Sequence, residues 1–215
     1  MPVLSEWRLS LDVDAVLRGQ GADPAVLRTR KPQLVILAEQ ALETARPLVT
    51  PQVAFQLWDV EALQHEKVLL SEGRFLSGTF VVQQLACARQ VAAIVCTIGE
   101  SLETLASQTM QTDLPFGLAL DGVGSAAAEA LGIAARDYFR KLVAEDGWQT
   151  TLPLGPGMDG WPTNVGQPQL FSLLDASQVG VQLLESCLMA PRKTVSFVLG
   201  LGPGVQSLNR LAING

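Results

Sequence analysis

The chain has 215 residues, a length that suits one large domain or two small ones, and its 48% of hydrophobic residues can form a substantial core. Only 17% of the residues are charged, which excludes an intrinsically disordered protein. The net charge is −6 and lysine and arginine are scattered along the sequence, so we expect neither nucleic-acid binding nor docking on anionic membranes.

Helical patterns dominate the first fifty residues. Residues 12–18 predict a short helix that ends at a glycine-rich turn over residues 19–21. Asp23 and Pro24 then offer the N-cap and the first position of a second helix. A firmer third helix is predicted over residues 32–46, where leucine and alanine recur at helical spacing.

The middle of the chain predicts the sheet. Residues 51–60 alternate between apolar and polar and predict a strand, and residues 67–70 predict a second, short one. Residues 91–98 form a continuous apolar run, which is typical of a buried strand. Helices are predicted on either side of that run, over residues 77–88 and 99–110.

Residues 118–143 predict a long helix that is rich in small side chains. Because small side chains let another backbone approach closely, we expect this helix to be the central one. Its alanines are Ala126, Ala127, Ala128, Ala130, Ala134 and Ala135.

The C-terminal part begins with a loop of glycine and proline over residues 153–162. It also carries Met158 and Trp161, which a flexible linker does not need, so we expect an ordered loop. Apolar structure resumes at residues 171–174, and two strands are predicted over residues 179–189 and 194–201.

These elements mix helices and strands without a regular βαβ rhythm, which favours the α+β class. We therefore predict a single domain over residues 1–215, with an N-terminal helical part (1–50) and a core of sheet and helix (51–215). The small-residue-rich helix is expected to pack on a mixed or antiparallel twisted sheet.

Side chains for self-contained catalysis are scarce in this sequence. His65 is the single histidine, and a Ser-His-Asp or Cys-His arrangement would have to use it; we expect it to be a solvated turn residue. The three cysteines, Cys87, Cys96 and Cys187, lack metal-ligand spacing and predict small buried side chains in a reducing compartment, hence the cytoplasm. No catalytic residue and no metal ligand is assigned.

Glu129 is the exceptional charge, because it lies in the most apolar part of the predicted central helix. A carboxylate in that position lies either at the solvent edge or beside a cation. Arg136, two turns later on the same face, is a candidate partner. A structural role and a ligand-binding role both stay open.

Three stretches in this order resemble the activation domain of cobalamin-dependent methionine synthase and its short stand-alone relatives. The first comprises residues 97–100 and 120–131, with Glu129 inside it; the second comprises residues 155–162 and 170–175; the third comprises residues 180–196. The C-terminal half carries the resemblance, and the N-terminal half matches only in its order of helices and strands.

The resemblance implies an α+β fold that binds S-adenosylmethionine and presents it to a cobalamin held by a partner, a corrinoid protein or methyltransferase. It implies a glutamate near the amino group of the ligand, at Glu129. It also implies a binding loop, to which it assigns Gly155, Pro156, Gly157, Met158 and Trp161.

The loop departs from the family pattern at two positions. Pro153 stands at the place of an arginine and Met158 at the place of a tyrosine, while the proline–glycine turn is kept. An arginine binds a carboxylate through two charge-assisted hydrogen bonds, and proline has no donor. Backbone N–H groups of Gly155 and Gly157 offer a substitute as an anion nest. Trp161 fits either stacking on a ligand or burial beneath the loop.

Three hypotheses follow. The chain is a stand-alone protein of activation-domain type that supports a corrinoid-dependent methyltransferase by binding S-adenosylmethionine or the corrinoid protein. Alternatively, it is a non-catalytic interaction protein that kept the fold and lost the ligand. The third hypothesis, an independent small-molecule enzyme, has the least support because no acid–base pair or metal cluster is evident in the sequence.

Overall fold

The fold is taken from a computed structural model that describes residues 1–205, so the last ten residues of the predicted domain lie outside the described residues. The described α-helices are α1 (Val13–Gly19), α2 (Pro24–Arg30), α3 (Pro32–Ala45), α4 (Thr79–Gln84), α5 (Ser101–Thr109), α6 (Leu114–Ala144) and α7 (Thr163–Leu173). The strands are β1 (Val3–Leu4), β2 (Gln52–Gln64), β3 (Lys67–Leu70), β4 (Phe75–Ser77), β5 (Gln90–Thr97), β6 (Gln149–Thr150), β7 (Gln182–Leu183), β8 (Met189–Ala190) and β9 (Thr194–Gly202).

The main sheet has seven strands in the order β4-β3-β2-β5-β9-β6, with β1 also paired to β2. Every pairing in it is antiparallel. β2 pairs with three strands: its first half pairs with β1 and β5, and its second half, after a register shift between Val60 and Ala62, pairs with β3. The predicted α+β class and antiparallel sheet are confirmed. The N-terminal part contributes a strand, β1, as well as helices.

The two faces of the sheet carry separate cores, and the alternation of side chains along each strand assigns residues to one or the other. In β9, Phe197 and Leu199 point to a core shared with α1, α3, α5 and α6, here called the α6 face. Val198 points to a second core beneath α4, α7 and the 153–162 loop, here called the Trp161 face. β5 divides in the same way, with Ile94 on the α6 face and Val95 on the Trp161 face.

Helix α6 is the central helix of the α6 face, as its small residues predict. Asp113 caps its first turn by accepting from the N–H of Phe116 at 3.1 Å, and α1, α3, α5 and the sheet pack around it. By length and composition it is the one helix among residues 1–205 that could cross a membrane. In its most apolar stretch of 18 residues, 56% is buried inside the protein. Its buried residues pack against α1, α3, α5 and the sheet, which accounts for much of that apolar composition.

α1 and α6 cross so closely that glycine is required at the contact. A Cβ on Gly19 would lie 2.5 Å from the carbonyl oxygen of Gly122, and one on Gly122 would lie 3.0 Å from the carbonyl oxygen of Val16. Neither backbone can give way without moving a whole helix. The turn that sequence analysis assigned to residues 19–21 is therefore also a helix–helix contact.

Three predicted elements differ from the structure. Residues 179–189 do not form one strand: they run from the end of a 3-10 turn (Ala176–Val179) into the β7–β8 hairpin, whose tip exposes Leu184 and Leu188. The helix predicted over residues 77–88 is shortened to α4, because β4 occupies its start. Helix α7 replaces the short apolar segment predicted at residues 171–174; proline and glycine within it had masked its helical pattern.

The cysteines also differ in part from their predicted burial. Cys96 is fully buried in β5, whereas Cys87 is exposed and Cys187 is half-buried at the hairpin. All three are free thiols. Burial raises the pKa of the Cys96 thiol far above its ordinary value, because the thiolate would lose its hydration.

We predict that Gly19→Ala lowers the free energy of unfolding by about 1–3 kcal/mol, because the new methyl group must push α1 off α6. Gly132→Ala, in α6, is the matched control. A Cβ there meets Val195 at 3.8 Å, which is ordinary contact, and alanine favours the helix, so stability is unchanged or raised. Urea unfolding followed by circular dichroism measures both. Equal losses in the two variants would contradict the close crossing.

We predict that Cys96 resists alkylation by iodoacetamide at pH 8 until the chain unfolds, since its thiol is buried and stays protonated. Cys87, exposed in the folded protein, is the internal control and reacts at once. Mass spectrometry of peptides after timed labelling, with and without denaturant, gives the result. Labelling of Cys96 at the rate of Cys87 in the folded protein would disprove the assigned burial.

Candidate functional site

A groove runs between α6 and β9 on the α6 face and has a volume of about 400 Å³. One wall is a single face of α6, because its contributing residues recur every three or four positions. They are Ser125, Ala128, Glu129, Gly132, Ile133 and Arg136. The other wall is the start of β9 and the two residues before it, with Pro153 at one end. Its residues are Arg192, Lys193, Thr194, Val195 and Phe197.

Small side chains on α6 keep this groove open. A Cβ on Gly132 would come within 3.8 Å of Val195 and 4.0 Å of Phe197, so any larger side chain there would fill the space between helix and strand. The floor is apolar, formed by Val195 and the buried Phe197, while the charged side chains stand at the walls. Such a site fits a ligand with an apolar body and polar ends.

Lys193 is the most buried of the groove's cations, with its side chain 14% exposed. Its stem lies over Gly124, where a Cβ would come within 3.1 Å of it. Its Nζ reaches Asp121 Oδ2 at 2.8 Å and donates to Ser125 Oγ at 2.8 Å. The Asp-Gly-Val-Gly-Ser run that begins at Asp121 thus supplies a counter-ion, room for the stem and a hydrogen-bond acceptor for one lysine.

Arg192 stands at the rim and is held by Glu103 of α5. The two oxygens of that carboxylate accept from the backbone N–H of Arg192 at 2.7 Å and from its Nε at 2.8 Å. The hydrogen bond to Glu103, together with the negative charge of that residue, raises the pKa of Arg192, which therefore stays charged.

Arg136 lies at the C-terminal end of the α6 wall and pairs with its neighbour in sequence. Asp137 Oδ1 accepts from Arg136 Nε at 3.0 Å and from Nη2 at 2.8 Å, and Arg140 approaches the same oxygen at 3.6 Å. Glu129 is exposed at the middle of the wall, and within residues 1–205 it enters no ion pair. The suggested pairing of Glu129 with Arg136 is therefore absent.

The predicted binding loop lies largely on the other side of β9. Trp161 is fully buried in the core of the Trp161 face, and its Nε1 donates to Gln169 Oε1 at 3.2 Å. Pro156 packs with it over Gly166 of α7, where a Cβ would meet either side chain within 2.9 Å. The interpretation of Trp161 as a buried loop residue fits this placement, since its ring is enclosed by protein.

Within the loop, the predicted anion nest does not form. The N–H of Gly157 donates to the carbonyl of Trp161 at 2.8 Å, and that of Gly155 to the sulfur of Met158 at 3.2 Å. Met158 is otherwise exposed at the surface. Of the six predicted site residues, only Glu129 lines the groove; Pro153, just before the loop, is the chain's contribution from that side.

Sequence reasoning missed Arg192 and Lys193 as site residues and took lysine and arginine as scattered. Two separate stretches converge here, because β9 lies alongside the second half of α6. Both residues lie in the third stretch that resembles the activation domain, and that stretch was the signal by which they could have been found. His65, as predicted, is exposed at the β2–β3 turn and does not line the groove. Among the described residues, no group of histidine, cysteine or acidic side chains could hold a metal ion.

The chain is similar in structure to the MetH reactivation domain, whose crystal structure was solved bound to AdoHcy. The TM-score is 0.69 at 14% sequence identity, and the alignment covers 96% of this chain and 80% of that one. No family model matches the sequence, and no curated protein matches it either. At this identity the likeness shows the fold, and the predicted fold of methionine synthase activation-domain type is confirmed.

We predict that Asp121→Asn lowers the free energy of unfolding by about 1–3 kcal/mol, because it leaves the largely buried ammonium of Lys193 without its counter-ion. Asp14→Asn is the matched control: its partner Arg28 is half exposed, and the change is expected to stay within ~0.5 kcal/mol. Urea midpoints at neutral pH compare the two. A loss at Asp121 no larger than that at Asp14 would show that the pair contributes little.

Proposed function

We propose that the α6–β9 groove binds S-adenosylmethionine or S-adenosylhomocysteine and that the protein supports a corrinoid-dependent methyltransferase in the cytoplasm. The observation that carries the proposal is the convergence of one carboxylate, three cations and an apolar floor in a single groove. It is supported by a fold shared with a domain that binds AdoHcy.

The chemistry of the groove matches the parts of this ligand. Glu129, exposed and outside any ion pair within the described chain, suits the ammonium of the methionine moiety. The cationic side chains suit its carboxylate. Ile133, Val195 and Phe197 offer apolar contact for the adenosyl group. The volume of about 400 Å³ lies in the usual range for small-molecule sites.

In this proposal the chain binds and positions, and the cofactors supply the chemistry. S-adenosylmethionine would supply the methyl group and leave as S-adenosylhomocysteine, and the cobalt(I) form of a cobalamin held by a partner protein would accept it. The residues of the groove orient the ligand by its amino-acid end, which leaves the sulfonium and its methyl group free to face a partner. The partner is a corrinoid protein or a methyltransferase, and it docks over the mouth of the groove.

The alternative, an interaction protein that has lost its ligand, was motivated by the missing arginine and tyrosine at Pro153 and Met158. The structure weakens that motive, because Arg136, Arg192 and Lys193 bring positive charge to the groove from α6 and β9. Absence of adenosyl-ligand binding would restore this alternative.

We predict that S-adenosylmethionine and S-adenosylhomocysteine raise the melting temperature, with about 2.7 kcal/mol of stabilisation at a hundred times the dissociation constant. Glu129→Gln should weaken binding about tenfold by removing a charge-assisted hydrogen bond to the ammonium. Thermal melting curves measure the shift, and isothermal titration measures the affinity. Glu39→Gln is the matched control, since it makes the same change at an exposed position of α3 outside the groove.

No binding heat and no melting shift with either compound would reject the ligand. The partner is tested separately, by a pull-down with the wild-type chain and cobalt analysis of what it retains. Retained corrinoid in wild-type eluates, and none with an unrelated bait, is the expected result. Ligand binding without any corrinoid retained would reject only the proposed partner.

A further inference from the structure

We infer that Arg136 binds the carboxylate of the ligand, in place of the loop arginine that Pro153 has removed. This inference rests on the proposed function, because Arg136 can bind the ligand's carboxylate only if the groove binds the ligand. Arg136 comes from α6, the same helix that carries Glu129, so a single helix would recognise both charges of the amino-acid moiety.

The spacing on α6 suits this division of roles. Arg136 follows Glu129 by seven residues, which is two helical turns and about 10 Å along the helix axis. An amino acid with one hydrogen bond of about 2.8 Å at its ammonium and another at its carboxylate spans roughly 9 Å. Both residues line the groove, so a ligand that lies between them can contact both side chains while the helix stays straight.

The guanidinium of Arg136 is already oriented and still has donors to offer. Arginine carries five N–H donors. The hydrogen bonds within the described chain use only Nε and Nη2, both toward Asp137 Oδ1. The Nη1 end of the guanidinium group stays available to donate hydrogen bonds to a carboxylate. Asp137 therefore acts as a positioning residue that limits the side-chain freedom Arg136 would lose on binding.

The two other cations of the groove suit structural roles better. Lys193 is largely buried and directs its Nζ to Asp121 and Ser125. Arg192 is tied to Glu103 by its backbone N–H as well as its Nε, which draws it toward α5 at the rim. Its side chain is 65% exposed, so Arg192 is the rival candidate that an experiment must separate from Arg136.

The test is a ligand-by-variant comparison with the full chain, using isothermal titration. S-adenosylmethionine is compared with decarboxylated S-adenosylmethionine, which keeps the ammonium and lacks the carboxylate. Wild type should bind the decarboxylated compound about 10- to 100-fold more weakly. Arg136→Gln should weaken the binding of S-adenosylmethionine by a similar factor. Its affinity for the decarboxylated compound should stay within about twofold of the wild-type value.

Arg140→Gln is the matched control, since Arg140 also approaches Asp137 but lies outside the groove lining; both affinities should be unchanged. Arg136→Lys keeps the positive charge but loses the paired N–H donors of the guanidinium. It should therefore bind S-adenosylmethionine more tightly than Arg136→Gln and more weakly than wild type. Melting curves confirm that each variant is folded.

Equal losses on both ligands in Arg136→Gln, or a carboxylate-selective loss in Arg192→Gln instead, would overturn the assignment to Arg136 while leaving the proposed function intact. Failure of wild type to bind any adenosyl ligand would overturn both.

Discussion

The close packing of α6 is the constraint on which the rest of this structure depends. Glycine at positions 19 and 122 lets α1 lie against the helix backbone to backbone, and alanines along α6 bring it down onto the sheet. Between Ser125 and Arg136, the residues of α6 that face β9 are small or polar apart from Ile133. These residues form one wall of the candidate site. Fold stability and site geometry therefore depend on the same small residues.

Strand β9 imposes the second constraint, because it separates two regions that lie close in the sequence. Its alternate side chains belong to opposite cores, with Phe197 beneath the groove and Val198 beneath the loop. The proline–glycine loop that follows Pro153 crosses to the Trp161 face, where Trp161 anchors it over α7. A loop that resembles a binding element is thereby held mainly by its own core, and its glycines and prolines serve tight packing.

The charges of the groove come from elements that are distant in the sequence. Pro153 offers no donor on one side, while Arg136 on α6 and Arg192 and Lys193 beside β9 bring cations from the others. Each of these cations is paired with a carboxylate, Asp137, Glu103 or Asp121. Such pairs reduce the repulsion between neighbouring cations and fix their orientation.

The sequence by itself determined the α+β class, the central helix and most element positions, because helical spacing, strand alternation and the cap at Asp23 are local signals. It also singled out Glu129. Only the tertiary structure decided that Glu129 stands in a groove with Arg136 and Lys193, that Trp161 lies behind the sheet, and that residues 179–189 form a turn and hairpin. These outcomes depend on which elements become neighbours, and that depends on long-range packing rather than on any local run of residues.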